Sequence, residues 1–335
     1  MTESIFKRRT ALGAAAVASF GTLLATLSLG AAAADEPWPN RPIKLVVAGP
    51  AGAGMDIFAR LLSAPLQQAL KQPVVVDNKA GANSIIGNDA VAKAQPDGYT
   101  FLFTPSSAIA INPILQAKMP YDTLNDLLPV AQIGAAGILL VANPASGFKN
   151  LGDMVRYAKA NPGKLQYGSW GNGSTGHLAM EGIKAHYGLD MPHIPYKGTA
   201  AVVQDLLANT VSVAFTDIAS PIPHIRGGKL TPLGATGSGR GPALPDLPTV
   251  TEQGYKFDTD GWYGIFAPAG TPRAIVARMN EEINRILATD EMRQKFSAQN
   301  MGLPRAKNAD QFGSTVKSDV EVWQSLAKSA KLKID

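Results

Sequence analysis

Along this chain a buried strand runs into a glycine-rich loop and then into a helix, several times over, and that recurrence restricts the fold more than any other feature. Ile43-Lys44-Leu45-Val46-Val47 reads as a buried strand. Gly49-Pro50-Ala51-Gly52-Ala53-Gly54 breaks it, and Asp56 is placed to cap a helix through Ile57, Leu61, Leu62 and Leu66, bent at Pro65. Residues 73–77 form a second expected strand, and a second glycine loop, 81–87, opens a short helix reaching Lys93. Pro96-Asp97-Gly98 turns into a third strand over 99–103, which ends at Thr104-Pro105-Ser106-Ser107. Such units predict a mainly parallel sheet with helices on both faces.

The middle of the chain repeats the theme. Strands are expected at 138–141, 165–169, 193–196, 211–216 and 230–235, with helices at 151–160, 175–187, 200–207 and 221–227. The glycine loop of this half is Trp170-Gly171-Asn172-Gly173-Ser174-Thr175-Gly176. An apolar extended stretch follows at 262–267. Thr271-Pro272 then starts a helix with Ile275, Met279, Ile283, Ile286 and Leu287 at helical spacing, and 310–326 reads as a closing helix. At 335 residues the chain exceeds the roughly 250–300 that one core supports, so two domains are expected.

The first thirty-four residues read as an export leader. Lys7, Arg8 and Arg9 precede an apolar run from Ala11 to Gly30, and Ala31-Ala32-Ala33-Ala34 offers a small-residue cleavage site before Asp35. A membrane anchor is the competing reading of such a length, but Ala, Gly, Ser and Thr dilute its leucines. Arg8-Arg9 leaves the general and the twin-arginine export routes both open. Losing Glu3, Lys7, Arg8 and Arg9 lowers the formal charge from +5 to +3, and the remaining bases are scattered, which argues against nucleic acid. Cysteine is absent, which excludes disulfides, cysteine-bound zinc, iron–sulfur clusters and a thiol nucleophile. No cofactor or metal is expected.

Each glycine loop lies before a helix whose first N–H groups lack intrahelical partners and so attract anions. Gly171, Gly173 and Gly176 match the G-x-G-x-x-G of dinucleotide-binding folds, which makes a dinucleotide-dependent enzyme the alternative reading. The acid expected about 20 residues on is missing, and no Gly-Lys-Ser/Thr closes either loop. There is no G-x-S-x-G and no H-E-x-x-H. His177 and His186, nine apart, do not share a helix face as a metal pair would; His177 is expected to bond its own loop, and His193 and His224 are read as structural. No paired acids mark a general acid and base. Polar grip without catalytic machinery is the reading, and it is not that of an enzyme.

Several segments together resemble the Bug-type periplasmic solute receptors of tripartite tricarboxylate transporters. They are Pro39-Asn40-Arg41-Pro42-Ile43, the loop from Gly49 to Asp56, Pro96-Asp97-Gly98-Tyr99-Thr100, Tyr167-Gly168-Ser169 with Gly171-Asn172-Gly173-Ser174, His177-Leu178, Pro195-Tyr196-Lys197-Gly198, the run from Ala243 to Val250, and Phe266 to Pro272. The resemblance implies an α/β, two-lobed periplasmic-binding-protein fold of the type II, Venus-flytrap kind, with two crossover segments near 139–143 and 262–268. Lobe one would comprise 35–140 plus 262–335, and lobe two 141–261. It also implies a monomer holding a small organic carboxylate between two glycine loops by backbone amides, for delivery to a membrane permease or to a sensor.

Carried onto this sequence, the implied contacts are Gly52, Ala53, Gly54, Met55 and Asp56 in loop one and Ser169, Trp170, Asn172, Gly173, Ser174 and Thr175 in loop two. Asn83, Ser84, Thr104, Ser106, Tyr196 and Asp217 stand at strand ends where further contacts are expected. Ala53, Met55 and Trp170 depart from the small and hydroxyl residues usual there, which points to an aromatic or bulky apolar ligand body, with Tyr263 as a second wall.

Overall fold

The computed structural model describes residues 38–329 apart from 117, 258, 259 and 304, so the expected leader lies outside the described residues. The body that spans 41–335 is built on two five-stranded sheets. Its strands are β1 (Ile43–Val47), β2 (Val74–Asn78), β3 (Thr100–Pro105), β4 (Leu127–Ala136), β5 (Leu139–Ala142), β6 (Tyr167–Ser169), β7 (His193–Pro195), β8 (Val213–Thr216), β9 (Thr231–Ala235) and β10 (Gly261–Pro268).

The first sheet runs β2-β1-β3-β10-β4 and the second β7-β6-β8-β5-β9. In each, three strands are parallel, as the strand–loop–helix units demand. The fourth strand is antiparallel to both its neighbours. The expected mainly parallel sheet is therefore corrected to two mixed sheets of one common order. The reason is the crossover: β5 and β10 are each the first strand after the chain changes sheet, and each enters the new sheet against the run of the βα units.

The passage from sheet one to sheet two needs only Gly137 and Ile138, and the return takes the chain from Ala235 to Gly261. Ile138 donates its N–H to Thr236 Oγ1 and Thr236 donates back to the Ile138 carbonyl, both at 2.9 Å. A Cβ on Gly137 would stand 1.7 Å from the Thr236 carbonyl oxygen, so only glycine lets the two crossing segments lie side by side.

Strand β4 has no counterpart among the expected strands. Pro129 and Gly134 interrupt its pattern, and both are tolerable because β4 is an edge strand. Period-two alternation explains the core of the second sheet. Leu140, Ala142, Tyr167, Val213 and Phe215 pack on one face, and Leu139, Val141 and Ala214 on the other. Both faces are covered, so these strands read as unbroken apolar runs. Two caps differ from expectation. The helix Gly54–Leu70 starts two residues before Asp56 and runs on through Pro65, and Thr271 bonds the Pro268 carbonyl while the helix begins at Arg273.

Candidate functional site

The carboxyl ends of the parallel strands of both sheets converge on a cavity of about 300 Å³. Binding at that edge is the general habit of α/β sheets, because the βα loops there bring helix N-termini together. From the first sheet, Gly49, Pro50, Ala53 and Met55 follow β1, Gly81 to Ile85 follow β2, and Pro105 to Ser107 follow β3. From the second, Trp170, Gly171, Asn172 and Thr175 follow β6, Tyr196 to Thr199 follow β7, and Asp217 and Ile218 follow β8. Gly137, Ile138, Thr236, Trp262 and Tyr263 close the end near the crossings.

Of the seventeen implied contacts, Ala53, Met55, Asn83, Ser84, Ser106, Trp170, Asn172, Thr175, Tyr196 and Asp217 line this cavity. Gly52, Gly54, Asp56, Thr104, Ser169, Gly173 and Ser174 do not; their polar groups are turned to the protein itself. Asp56 accepts the Gly52 N–H at 2.9 Å and pairs with Arg60, also at 2.9 Å. Burial pushes its carboxyl up, but the hydrogen bonds from Arg60, Gly52 and Asn78 together hold it below the usual range. Thr104 Oγ1 donates to buried Asn88 at 2.8 Å. Ser106 lines the cavity while its Oγ accepts the Trp262 N–H.

Gly54 shows why geometry alone decides which amides are free. Its N–H, at the first position of the helix Gly54–Leu70, donates to Asp217 Oδ2 at 3.1 Å. Asp217 also accepts from Ser220 Oγ at 2.6 Å and from the Ala219 and Ser220 N–H groups at 2.8 Å each. A carboxylate of the second lobe thus takes the first-turn N–H of a helix of the first. Asp217 and Lys197 are the charged side chains of the lining. Burial and the negative charge of Asp217 keep the Tyr263 hydroxyl protonated far above its ordinary range.

Loop two is fastened from behind. Ser169 Oγ meets His193 Nε2 at 2.7 Å and Ser174 Oγ at 3.3 Å, and Ser174 caps the helix Thr175–Tyr187 through the His177 N–H. His177 Nδ1 accepts the Gly173 N–H at 3.1 Å, the loop bond expected of it. Burial lowers the pKa of His177, and burial with the neighbouring His177 brings His193 to about 4. Trp170 does two jobs. It lines the cavity, and its ring lies so close to Gly176 that a Cβ there would stand 2.6 Å from it. The third glycine of the G-x-G-x-x-G match is therefore needed for this ring. The acid that a ribose requires is missing from the end of β7, which closes on Pro195 at the sheet edge.

Lys197, Ser107, Thr199, Ile138, Ile218, Trp262 and Met301 line the cavity without having been singled out as contacts. Lys197 lies inside the Pro195–Gly198 segment and was legible there; Met301 reaches the site from near the far end of the chain and had no local signal. Among the described residues, no group of three or more His, Asp or Glu is arranged to hold a metal, and no helix is long and apolar enough to cross a membrane.

Two α/β lobes of one strand order, crossed twice by the chain around a cavity at their strand ends, define a two-lobed periplasmic binding protein. Residues 58–332 match the family described as tripartite tricarboxylate transporter family receptor, and the chain belongs to that family. It is 35% identical to the protein BugT of Bordetella pertussis, over 95% of this chain and 98% of that one. Among solved structures, Rpa4515 of R. palustris with adipate superposes with a TM-score of 0.85 at 32% identity, covering 88% of this chain and 99% of that one. The periplasmic binding protein BugD gives 0.84 at 31% identity, over 88% and 99%. MatC of Rhodopseudomonas palustris with bound malate gives 0.81 at 28%, over 86% and 99%. The protein is a periplasmic solute receptor of this TctC and Bug type.

Proposed function

We propose that this receptor holds one small organic carboxylate between its lobes through backbone N–H groups at two helix starts, and delivers it to the membrane permease of a tripartite tricarboxylate-type transporter. The observation that carries the reading is the shared cavity onto which Met55 and Thr175, in the first turns of two facing helices, both open. First-turn N–H groups have no intrahelical acceptor, and each hydrogen bond to a charged group contributes about 1.5–3 kcal/mol. Lys197 adds a positive charge on the same wall. Met55, Trp170, Trp262 and Tyr263 surround the remaining space, which favours an aromatic or bulky apolar body over a compact polyacid. The working unit is a monomer, exported and cleaved after Ala34, with its lobes divided at the crossings 137–138 and 236–260, so that β5 lies wholly in lobe two and β10 wholly in lobe one.

Calorimetry of the mature chain with benzoate, adipate, malate and citrate tests the ligand class; tighter binding of citrate than of benzoate or adipate would overturn the apolar-body reading. Thr175→Pro tests the grip. Proline is at home at the first helical position, and Ser174 before it is already extended at φ −66°, ψ 155°, so the fold is kept while one N–H donor is deleted. Carboxylate affinity is expected to fall about tenfold or more with unchanged thermal stability.

A further inference from the structure

Gly173, within loop two, has φ +75°, is buried and is not among the residues that line the cavity. Its N–H finds a partner in His177 Nδ1 at 3.1 Å, four residues on. A buried N–H without an acceptor is costly, so removing that acceptor would favour turning Gly173 outward. The accepting nitrogen is itself held in place. The His177 ring stacks on His193 at 4.2 Å with 12° between planes, and His193 stacks on Tyr167 at 4.8 Å. His193 Nε2 meets Ser169 Oγ, which lies 3.4 Å from the Gly171 N–H. Tyr167 donates to Glu181, and Lys184 pairs with the same carboxylate at 2.6 Å. Three rings and one ion pair thus back the loop that carries Asn172 and Thr175 to the cavity.

We propose that His177, braced by His193, is a positioning residue for ligand binding: its unprotonated Nδ1 holds the Gly173 amide and thereby sets the loop conformation that presents Asn172 and Thr175 to the ligand. This rests on the loop-two grip proposed above. The neutral ring must carry its proton on Nε2, since Nδ1 accepts. Protonation of Nδ1 would set donor against donor and release the loop, so acid is expected to weaken binding. The charged and titratable groups around His177 are Glu181 and Lys184 on its own helix and His193 on β7; Glu181 favours its protonation, and burial and Lys184 oppose it.

The test compares the mature wild type with His177→Asn and His177→Phe. Asn places an oxygen where Nδ1 stands and cannot titrate, whereas Phe keeps the stacked ring and deletes the acceptor. Two readouts are taken between pH 8 and 5: the Gly173 amide resonance in a ¹⁵N spectrum, which needs no ligand, and adipate affinity by calorimetry. The expected result is a Gly173 resonance that moves with pH in the wild type, stays fixed in H177N and is displaced at every pH in H177F. At pH 7.5 adipate affinity should fall about tenfold in H177F and stay within about threefold in H177N, and below pH 6.5 H177N should keep only the weakening that protonation of adipate itself imposes, with the wild type losing more. A Gly173 resonance in H177F identical to wild type, or an H177N that loses as much as H177F, would overturn the proposal. A displaced Gly173 with unchanged adipate affinity would overturn the role in ligand positioning. If Thr175→Pro then also binds adipate like the wild type, the loop-two grip itself has failed.

Discussion

Asp217 lines the cavity and Asp56 does not, yet both accept N–H groups of the protein's own backbone. Asp56 ties the Gly52 N–H to the first turn of the helix behind loop one, with Arg60 as counter-ion. Asp56→Ala is expected to cost about 1–3 kcal/mol by chemical denaturation, since a charge-assisted bond is lost and loop one is untied. The sign with pH follows from the depressed carboxyl. Its contribution is complete above the unfolded value of about 3.9 and is lost as pH falls through the lower folded value, so the gap between wild type and variant should close in acid. Asp56 was legible as a helix-start acid, but its register was not: a carboxylate at the third helical position can reach back to a loop N–H as well as one at the cap can to the helix. Asp217 was legible only as a polar strand end.

At the scale of elements, loop two shows tight coupling between a cavity wall and its support. Gly176→Ala should destabilise the protein by about 1–3 kcal/mol and shift tryptophan emission, because the new Cβ would meet Trp170 at 2.6 Å and Phe215 at 2.9 Å. Thermal melts and fluorescence would record both. The ring stack predicts a second pH effect. His193 titrates at about 4 in the fold, so the fold binds the neutral ring. That stabilisation is full above the unfolded value of about 6.5, declines as pH falls toward 4 and levels off below it, a change of about 1–3 kcal/mol. Urea midpoints measured across pH 7.5 to 4 should show the decline, and His193→Gln should flatten it. Most strands and helices were legible, because burial on both faces leaves apolar runs and glycine loops punctuate them. Strand β4 was not, since its edge position lets it carry Pro129, and its Gly134 is required by Met301, far away in the chain.

At the scale of the whole molecule, three hydrogen bonds between described residues join the lobes. Gly54 donates to Asp217, Arg226 donates to the Ala298 carbonyl at 3.0 Å, and Ala243 donates to Asn300 Oδ1 at 2.9 Å. Gly198 lies against Pro50, where a Cβ would stand 2.5 Å from the ring. Lobes that moved apart would lose these contacts, so the contacts favour the arrangement in which the lobes meet. The combined variant Asp217→Ala, Asn300→Ala is therefore expected to show a larger radius of gyration by small-angle scattering without ligand, and to return to the wild-type value with saturating ligand. An unchanged radius would mean that the crossings alone hold the lobes. The common strand order of the two sheets and their antiparallel fourth strand came from tertiary pairing, which length does not record.

By itself the sequence determined the strand–loop–helix units, the two glycine loops, the bond of His177 to its own loop and the family, because each rests on neighbours within a few residues or on short segments in order. The tertiary structure alone decided which of those amides are bonded within the protein. Gly54 and Asp217 are 163 residues apart, and no local pattern records that a distant carboxylate takes the N–H that the loop would otherwise offer. Hydrogen-bond capacity is a local property of the chain, but its satisfaction depends on what packing brings within about 3 Å.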